Sequence, residues 1–257
     1  MEKYERLKKL FHDMGSVLVT FSGGVDSTFL AKVARDVLGE QAMAMTAVSP
    51  SLPAKELEEA KQLAAHVGIR HLMVESKELD DPRYAANPVN RCYFCKSELF
   101  ALARRTAQEL QLAHVVDGTH LDDLKEIRPG RQAAKEWQIR SPLVEAQWTK
   151  QEVRDLSRAL GLPTWDKPEM ACLASRLPTG MAVNIERLGQ VEACEVGLKG
   201  LGFRQLRARH LDDAVRLELE PSAIENLADP DLQTKVVQVC RGAGFDRVLL
   251  DLAGYRG

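Results

Sequence analysis

The sequence predicts an α/β protein, a doubly wound parallel sheet followed by a smaller C-terminal α/β domain. Three observations predict it. Short β-branched apolar runs alternate with amphipathic stretches through most of the first 180 of the 257 residues. A Gly-Gly loop joins the first apolar run to the helical stretch after it. The alternation then changes character beyond Pro178-Thr179-Gly180, so the expected domains are 1–180 and 181–257.

The elements follow in order. Residues 17–21 read as a buried strand, 28–38 as a helix ending at Gly39, and 42–47 as a second strand. Residues 55–67 read as a helix closed by Gly68, 71–74 as a third strand, 96–111 as a helix and 114–117 as a fourth strand. Strands alternating with helices in this way lie parallel, and ligands bind beyond the strands' C-terminal ends. In the last part, a helix over 185–201 precedes strands at 205–210 and 214–219. Helical stretches at 222–226 and 232–243 and a strand at 247–251 complete the small domain.

With 35 Lys and Arg against 37 Asp and Glu, the net charge is −2. This gives no sign of a dedicated nucleic-acid surface, so no nucleic-acid partner is expected. Met1-Glu2-Lys3-Tyr4-Glu5-Arg6 opens on a charged helical pattern rather than an apolar leader. No apolar run reaches bilayer-spanning length. The expectation is a cytoplasmic protein without membrane contact, in which five cysteines are poor candidates for disulfides.

Ser22-Gly23-Gly24-Val25-Asp26-Ser27 follows the first strand directly and opens a helix. Two glycines let successive N–H groups converge on an anion, and the helix N-terminus adds its positive end. Ser22 and Ser27 offer hydroxyls to phosphate oxygens. Asp26 suits a polyphosphate site only with Mg²⁺ between, so a metal-bridging role is expected. The competing reading is a plain turn capped by Ser27. No Gly-Lys-Ser/Thr follows, which excludes a Walker A loop. The motif resembles the pyrophosphate loop of the ATP-pyrophosphatase (PP-loop) superfamily of NAD synthetases, GMP synthetases and tRNA-thiolating enzymes. The resemblance implies ATP cleavage between the α- and β-phosphates, with AMP passed to a substrate oxygen.

Cys92 and Cys95 form a C-x-x-C pair in an expected loop entering a helix, and Cys172 lies between Pro168 and Pro178. Thiolates at the first spacing bind one metal or an Fe–S cluster. Three on strand-end loops suit a [4Fe–4S] cluster with an open fourth iron that binds sulfide. A structural zinc site with a fourth ligand and a thioredoxin-like redox pair are the alternatives. Cys194 and Cys240 fall on helical patterns and read as core thiols.

The chain resembles the LarE family of ATP-dependent sulfur transferases, which help build the nickel-pincer nucleotide cofactor of lactate racemase. The matching stretches are 20–28, 87–96, Asp117-Gly118-Thr119, Arg128-Pro129-Gly130-Arg131, Ser141-Pro142-Leu143, 162–168 and Cys172-Leu173-Ala174-Ser175-Arg176. The resemblance implies adenylation of a carboxylate of a pyridinium-dicarboxylate mononucleotide, then its conversion to a thiocarboxylate. In one variant of the family, a cysteine at the position of Cys172 gives up its own sulfur. In the other, three cysteines hold a [4Fe–4S] cluster carrying sulfide, and Cys92, Cys95 and Cys172 match that variant. The resemblance also implies a homo-oligomer fed by sulfide or a sulfur-donor system.

Further residues complete the expected site. Arg176 either steadies a phosphate or developing oxyanion or is a surface arginine in a salt bridge. Thr119 follows the fourth strand within reach of nucleotide or substrate. Asp122 and Asp123 serve Mg²⁺ or cap a helix, and Arg128 and Arg131 flank a Pro-Gly turn that suits pyrophosphate. Arg207 and Arg209 share one face of a strand and bind the substrate's phosphate or are merely solvated. His120 stands where the family more usually has Asn. The rival functions are tRNA thiolation, an ammonia-dependent amidating synthetase and a non-enzymatic nucleotide-binding module with structural zinc.

Overall fold

The computed structural model describes residues 2–125, 129–169 and 171–255. They divide into two compact units, Met1–Asp81 with Asn90–Met170, and Pro82–Val89 with Ala171–Gly257.

The first unit begins with α1 (Glu2–Met14), β1 (Val17–Thr20), α2 (Val25–Leu38), β2 (Ala42–Val48), α3 (Ala54–Val67) and β3 (Arg70–Glu75). After α4 (Pro82–Ala85), which belongs to the second unit, come α5 (Arg91–Glu109), β4 (His114–Val116), α6 (Pro129–Glu136), α7 (Pro142–Glu145) and α8 (Lys150–Ala159). The sheet order is β3-β2-β1-β4, with every pairing parallel. In β1 all four residues are buried, as a strand covered on both faces requires. Val17 and Val19 join one core with Phe11, Phe29, Leu30 and Val153. Leu18 points into the other, with Phe100, Ala103 and Val115. Helices therefore cover both faces. Phe29 and Leu30 are fully buried, each worth about 1.5–3 kcal/mol relative to exposure.

The structure extends the sequence expectation at several ends. Helix α2 starts at Val25, three residues earlier than its apolar pattern indicates. Helix α5 starts at Arg91, so the C-x-x-C pair sits in a first helical turn rather than in a loop. The expected Pro-Gly turn is instead the first turn of α6, and Arg128 lies outside the described residues. Helix α8 is not among the elements the sequence pattern predicts. Its start is fixed by a capping box, with Glu152 N–H donating to Thr149 Oγ1 and Thr149 N–H to Glu152 Oε2.

The second unit holds α4, α9 (Ile185–Gly200), β5 (Leu206–Leu211), β6 (Ala214–Leu219), α10 (Pro221–Asn226), α11 (Pro230–Gly242) and β7 (Arg247–Leu250). Its sheet runs β5-β6-β7, antiparallel and then parallel. Cys194 and Cys240 are fully buried in its core. Buried Asn87, past α4, donates from Nδ2 to Pro178 O at 2.7 Å and accepts from Gly180 N–H at 2.8 Å, fixing the chain beyond Cys172. Among the described residues, no helix is long and apolar enough to cross a membrane.

Candidate active site

Strand order reverses direction between β1 and β4, and the crevice of such a sheet opens there, beyond the strand C-termini. The residues 22–27 leave β1 at this point, and Asp117-Gly118-Thr119 leave β4. The two loops touch. A Cβ on Gly118 would lie 3.1 Å from Ser27 N and 3.2 Å from the Asp26 carbonyl carbon. Asp117 ties its own loop down, accepting from Thr119 N–H at 3.2 Å, Thr119 Oγ1 at 2.8 Å and Ser141 Oγ at 2.7 Å.

The Ser22–Ser27 loop closes on itself. Ser27 Oγ accepts from Ser22 N–H and donates to Gly24 O, both at 3.3 Å, and lies 3.1 Å from Ser22 Oγ. Gly24 N–H donates to Ser22 Oγ at 3.3 Å. Gly23 has φ +69°, the left-handed region that glycine enters without strain. Its missing side chain also lets the loop lie on α3, because a Cβ there would come within 3.1 Å of Ala60 Cα. Among the described residues no side chain caps α2. The N–H groups of Val25 and its neighbours in that first turn are thus left to an external anion. This arrangement fits a polyphosphate.

Asp26 fits the counter-ion that such a ligand needs. Its Oδ1 is buried with no hydrogen-bond partner among the described residues, an expensive state for a carboxylate oxygen unless a cation completes it. Its Oδ2 accepts from Lys150 Nζ at 2.6 Å. His120, buried beside it, brings Nε2 to 3.9 Å from Asp26 Oδ1 and 3.4 Å from Asp123 Oδ2. Asp122 accepts from the Lys150 N–H at 2.8 Å, which is helix-capping work. Hydrogen bonds from Lys125 and then from that N–H hold its carboxyl below the usual range.

Two lysines at this loop lie outside the site expected from the sequence. Lys150 is placed by the Thr149-x-x-Glu152 capping box, a local signal open to reading. Lys167 Nζ reaches Gly23 O at 3.3 Å, Glu56 Oε2 at 3.2 Å and Glu59 Oε2 at 2.8 Å.

Among the described residues the cysteines form no disulfide. Cys92 is exposed and Cys95 half-buried, three residues apart on the first turn of α5 and so on adjacent positions of one face. Cys172, in the second unit, is exposed and precedes a 3₁₀ turn over Leu173–Arg176. Among the described residues, no group of three or more His, Cys, Asp or Glu side chains is gathered in metal-holding geometry.

Arg176 is no surface arginine. It is 8% exposed, and Nε and Nη2 reach the two oxygens of buried Glu195 at 2.8 and 3.3 Å. Its Nη1 donates to Ala171 O at 2.8 Å, Cys172 O at 3.2 Å and Ser175 Oγ at 3.0 Å. The guanidinium thus grips the backbone of the Cys172 turn. Glu195 also accepts from Ala208 N–H at 3.1 Å. Arg209 adds a grip from β5, donating to Ser175 O at 2.7 Å and to Glu218 Oε1 at 2.9 Å. Arg207 shares the partly exposed face of β5 and lies over the Tyr255 ring, 4.9 Å from its centre.

Comparison with known proteins agrees with this geometry. Residues 5–104 match the NAD synthase family. The chain is 47% identical to an uncharacterized protein of Synechocystis over 99% of this chain and 95% of that one. It is 34% identical to the pyridinium-3,5-bisthiocarboxylic acid mononucleotide synthase of Lactiplantibacillus plantarum, over 95% of this chain and 88% of that one. It is also 27% identical to the tRNA-specific 2-thiouridylase MnmA of Halothermothrix orenii, over 61% of this chain and 54% of that one. The loop, the sheet and this coverage together identify the chain as a member of the LarE family of PP-loop proteins, an ATP-dependent sulfur-transferring enzyme.

Proposed function

We propose that the enzyme adenylates a carboxylate of pyridinium-3,5-dicarboxylic acid mononucleotide and converts it to a thiocarboxylate, for a nickel-pincer cofactor. The activating half rests on the Ser22–Ser27 loop, where backbone donors and the unsatisfied Asp26 oxygen suit a magnesium triphosphate. The acceptor rests on the similarity to the Lactiplantibacillus synthase.

The chemistry follows from charge. A carboxylate resists nucleophiles, so one of its oxygens first attacks the α-phosphorus of ATP and pyrophosphate leaves. Sulfide then adds to the acyl carbon and AMP departs with its electron pair, leaving the thiocarboxylate. A Cys172 thiolate would instead leave a thioester, whose S–Cβ bond must break with loss of the Cα proton to free the thiocarboxylate and leave dehydroalanine. Ser22, Ser27 and the Gly24 N–H orient the departing pyrophosphate. Asp26 would hold Mg²⁺, which supplies charge neutralisation between the phosphates. Thr119 contributes to nucleotide or substrate binding, and Arg207 and Arg209 to the substrate's phosphate. Arg176 acts through the backbone it holds, presenting Cys172.

Cys92, Cys95 and Cys172 would hold a [4Fe–4S] cluster, which when bound would supply sulfide at an open iron. In this reading the enzyme is a cytoplasmic homo-oligomer supplied by sulfide or a sulfur donor. Two measurements test it. Pyrophosphate release should depend on the dicarboxylate mononucleotide; dependence on tRNA instead would move the enzyme to tRNA thiolation. Anaerobic protein should carry about four irons per chain, lost in Cys92→Ala. Zinc in their place would remove the cluster from the account. Protein without metal that loses one H₂S from Cys172 during reaction would make that cysteine the sacrificial donor.

A further inference from the structure

We propose that Lys167 is a positioning residue of the phosphate loop: it locks the Gly23–Gly24 peptide so that its N–H faces the bound polyphosphate. The inference deepens the ATP-binding half of the proposed function and does not depend on the acceptor.

A lysine ammonium has three hydrogens to donate, and Lys167 Nζ has three acceptors, Gly23 O, Glu56 Oε2 and Glu59 Oε2. The side chain reaches them from a fixed backbone. Arg154, on α8, donates to Trp165 O at 2.8 Å and to Lys167 O at 3.0 Å. Both glutamates stand on α3, the helix on which Gly23 packs against Ala60. Loop, lysine and helix therefore form one braced unit.

A trans peptide is planar, with C=O and N–H pointing in opposite directions. Fixing the Gly23 carbonyl toward Lys167 therefore aims the Gly24 N–H the other way, toward Ser22 Oγ, which itself lies 3.1 Å from Ser27 Oγ. This is the side on which the hydroxyls gather. A peptide between two glycines flips at little steric cost. The flip would turn a carbonyl oxygen on the phosphates and remove a donor, exchanging attraction for repulsion. An ammonium bonded to that carbonyl opposes the flip.

Lys167 is poorly suited to bind phosphate itself. Two carboxylates face it, at 3.2 and 2.8 Å, and although burial acts to raise the Glu59 carboxyl, Lys167 first and then Lys55 hold it below its usual range. The pair is an internal brace.

The test is equilibrium binding of ATP, inorganic pyrophosphate and AMP to the full chain, in magnesium buffer, for wild type, Lys167→Met, Lys167→Arg and Glu56→Gln/Glu59→Gln. Lys167→Met should weaken ATP and pyrophosphate about tenfold, the loss of roughly one hydrogen bond to a charged group, with AMP much less affected. Lys167→Arg should recover part of the loss. The double glutamine variant, which keeps the lysine but frees it, should weaken ATP. Tighter ATP binding there would overturn the proposal and make Lys167 a direct phosphate ligand. Unchanged ATP affinity in Lys167→Met, or an equal loss for AMP, would also overturn it. Should Lys167→Met fail to fold, the double glutamine variant decides alone. Failure of wild type to bind ATP would instead sink the ATP reading, a distinguishable result.

Discussion

The two loops on which the proposed function rests are held in opposite ways. The Ser22–Ser27 loop presents backbone N–H donors and small hydroxyls, and its shape comes from two absent side chains, at Gly23 and Gly118. The Cys172 turn is held by long side chains brought from afar. Arg176 is anchored on Glu195, 19 residues later, and Arg209 reaches Ser175 O from 34 residues away. The first loop is made by what the chain leaves out, the second by what it buries. Their failure modes should differ accordingly: crowding and loss of ligand for one, loss of stability for the other.

The largest expected effect is in the buried pair. Glu195→Ala leaves the Arg176 guanidinium buried without its counter-charge, and removing one partner of such a pair costs about 3–5 kcal/mol. Urea denaturation should register this, and a loss below about 1 kcal/mol would class the pair with exposed ones. Next is Gly118→Ala. Its Cβ meets the α2 backbone rather than a movable side chain, an overpacking worth about 1–3 kcal/mol. ATP affinity should fall with it, and retention of full affinity would show that the two loops do not need their close approach. Thr149→Ala removes the α8 cap at about 1 kcal/mol, and with it some of the order at Lys150.

The smallest effect is in pH. Burial, first of all, holds His71, His114 and His210 below the ordinary histidine value of 6.5, helped by the positive charges of Lys61, Arg140 and Arg187 respectively. The unfolded chain therefore binds these protons more readily than the folded one. The stabilisation is whole above pH 6.5 and is lost as pH falls through the lower folded-state values. In the second unit His210 accepts Asp212 N–H at Nδ1 and pairs Nε2 with Gln190 Oε1, so it must stay neutral there. The melting temperature should fall between pH 7.5 and 5.5, and His210→Gln should flatten part of the fall; an unchanged slope would take His210 out of the account.

What the sequence made legible follows the same division. The strand–loop–helix passage through Ser22 to Ser27 is local, and its periodicity, glycines and position mark it without any tertiary knowledge. The parallel sheet follows from alternation that repeats over the first unit. By contrast, the lysine brace spans 144 residues from Gly23 to Lys167, and nothing near either residue announces the other. The Arg176–Glu195 pair is hidden for the same reason. The expected start of α5 falls late because Cys92-Tyr93-Phe94-Cys95 is an unbroken apolar run with no helical period, while the backbone already turns helically there. Helix α8 is a different case, since its capping box, Thr149-x-x-Glu152, is a local pattern in the sequence.

The most direct test of the central claim is the product. Anaerobic protein would be incubated with magnesium ATP, sulfide and pyridinium-3,5-dicarboxylic acid mononucleotide, and the mixture resolved by mass spectrometry. The account predicts AMP, pyrophosphate and an acceptor in which one carboxylate oxygen is replaced by sulfur, with the sulfur product lost in Cys172→Ser. AMP and pyrophosphate with an amide formed from added ammonia, and no dependence on Cys172, would contradict it.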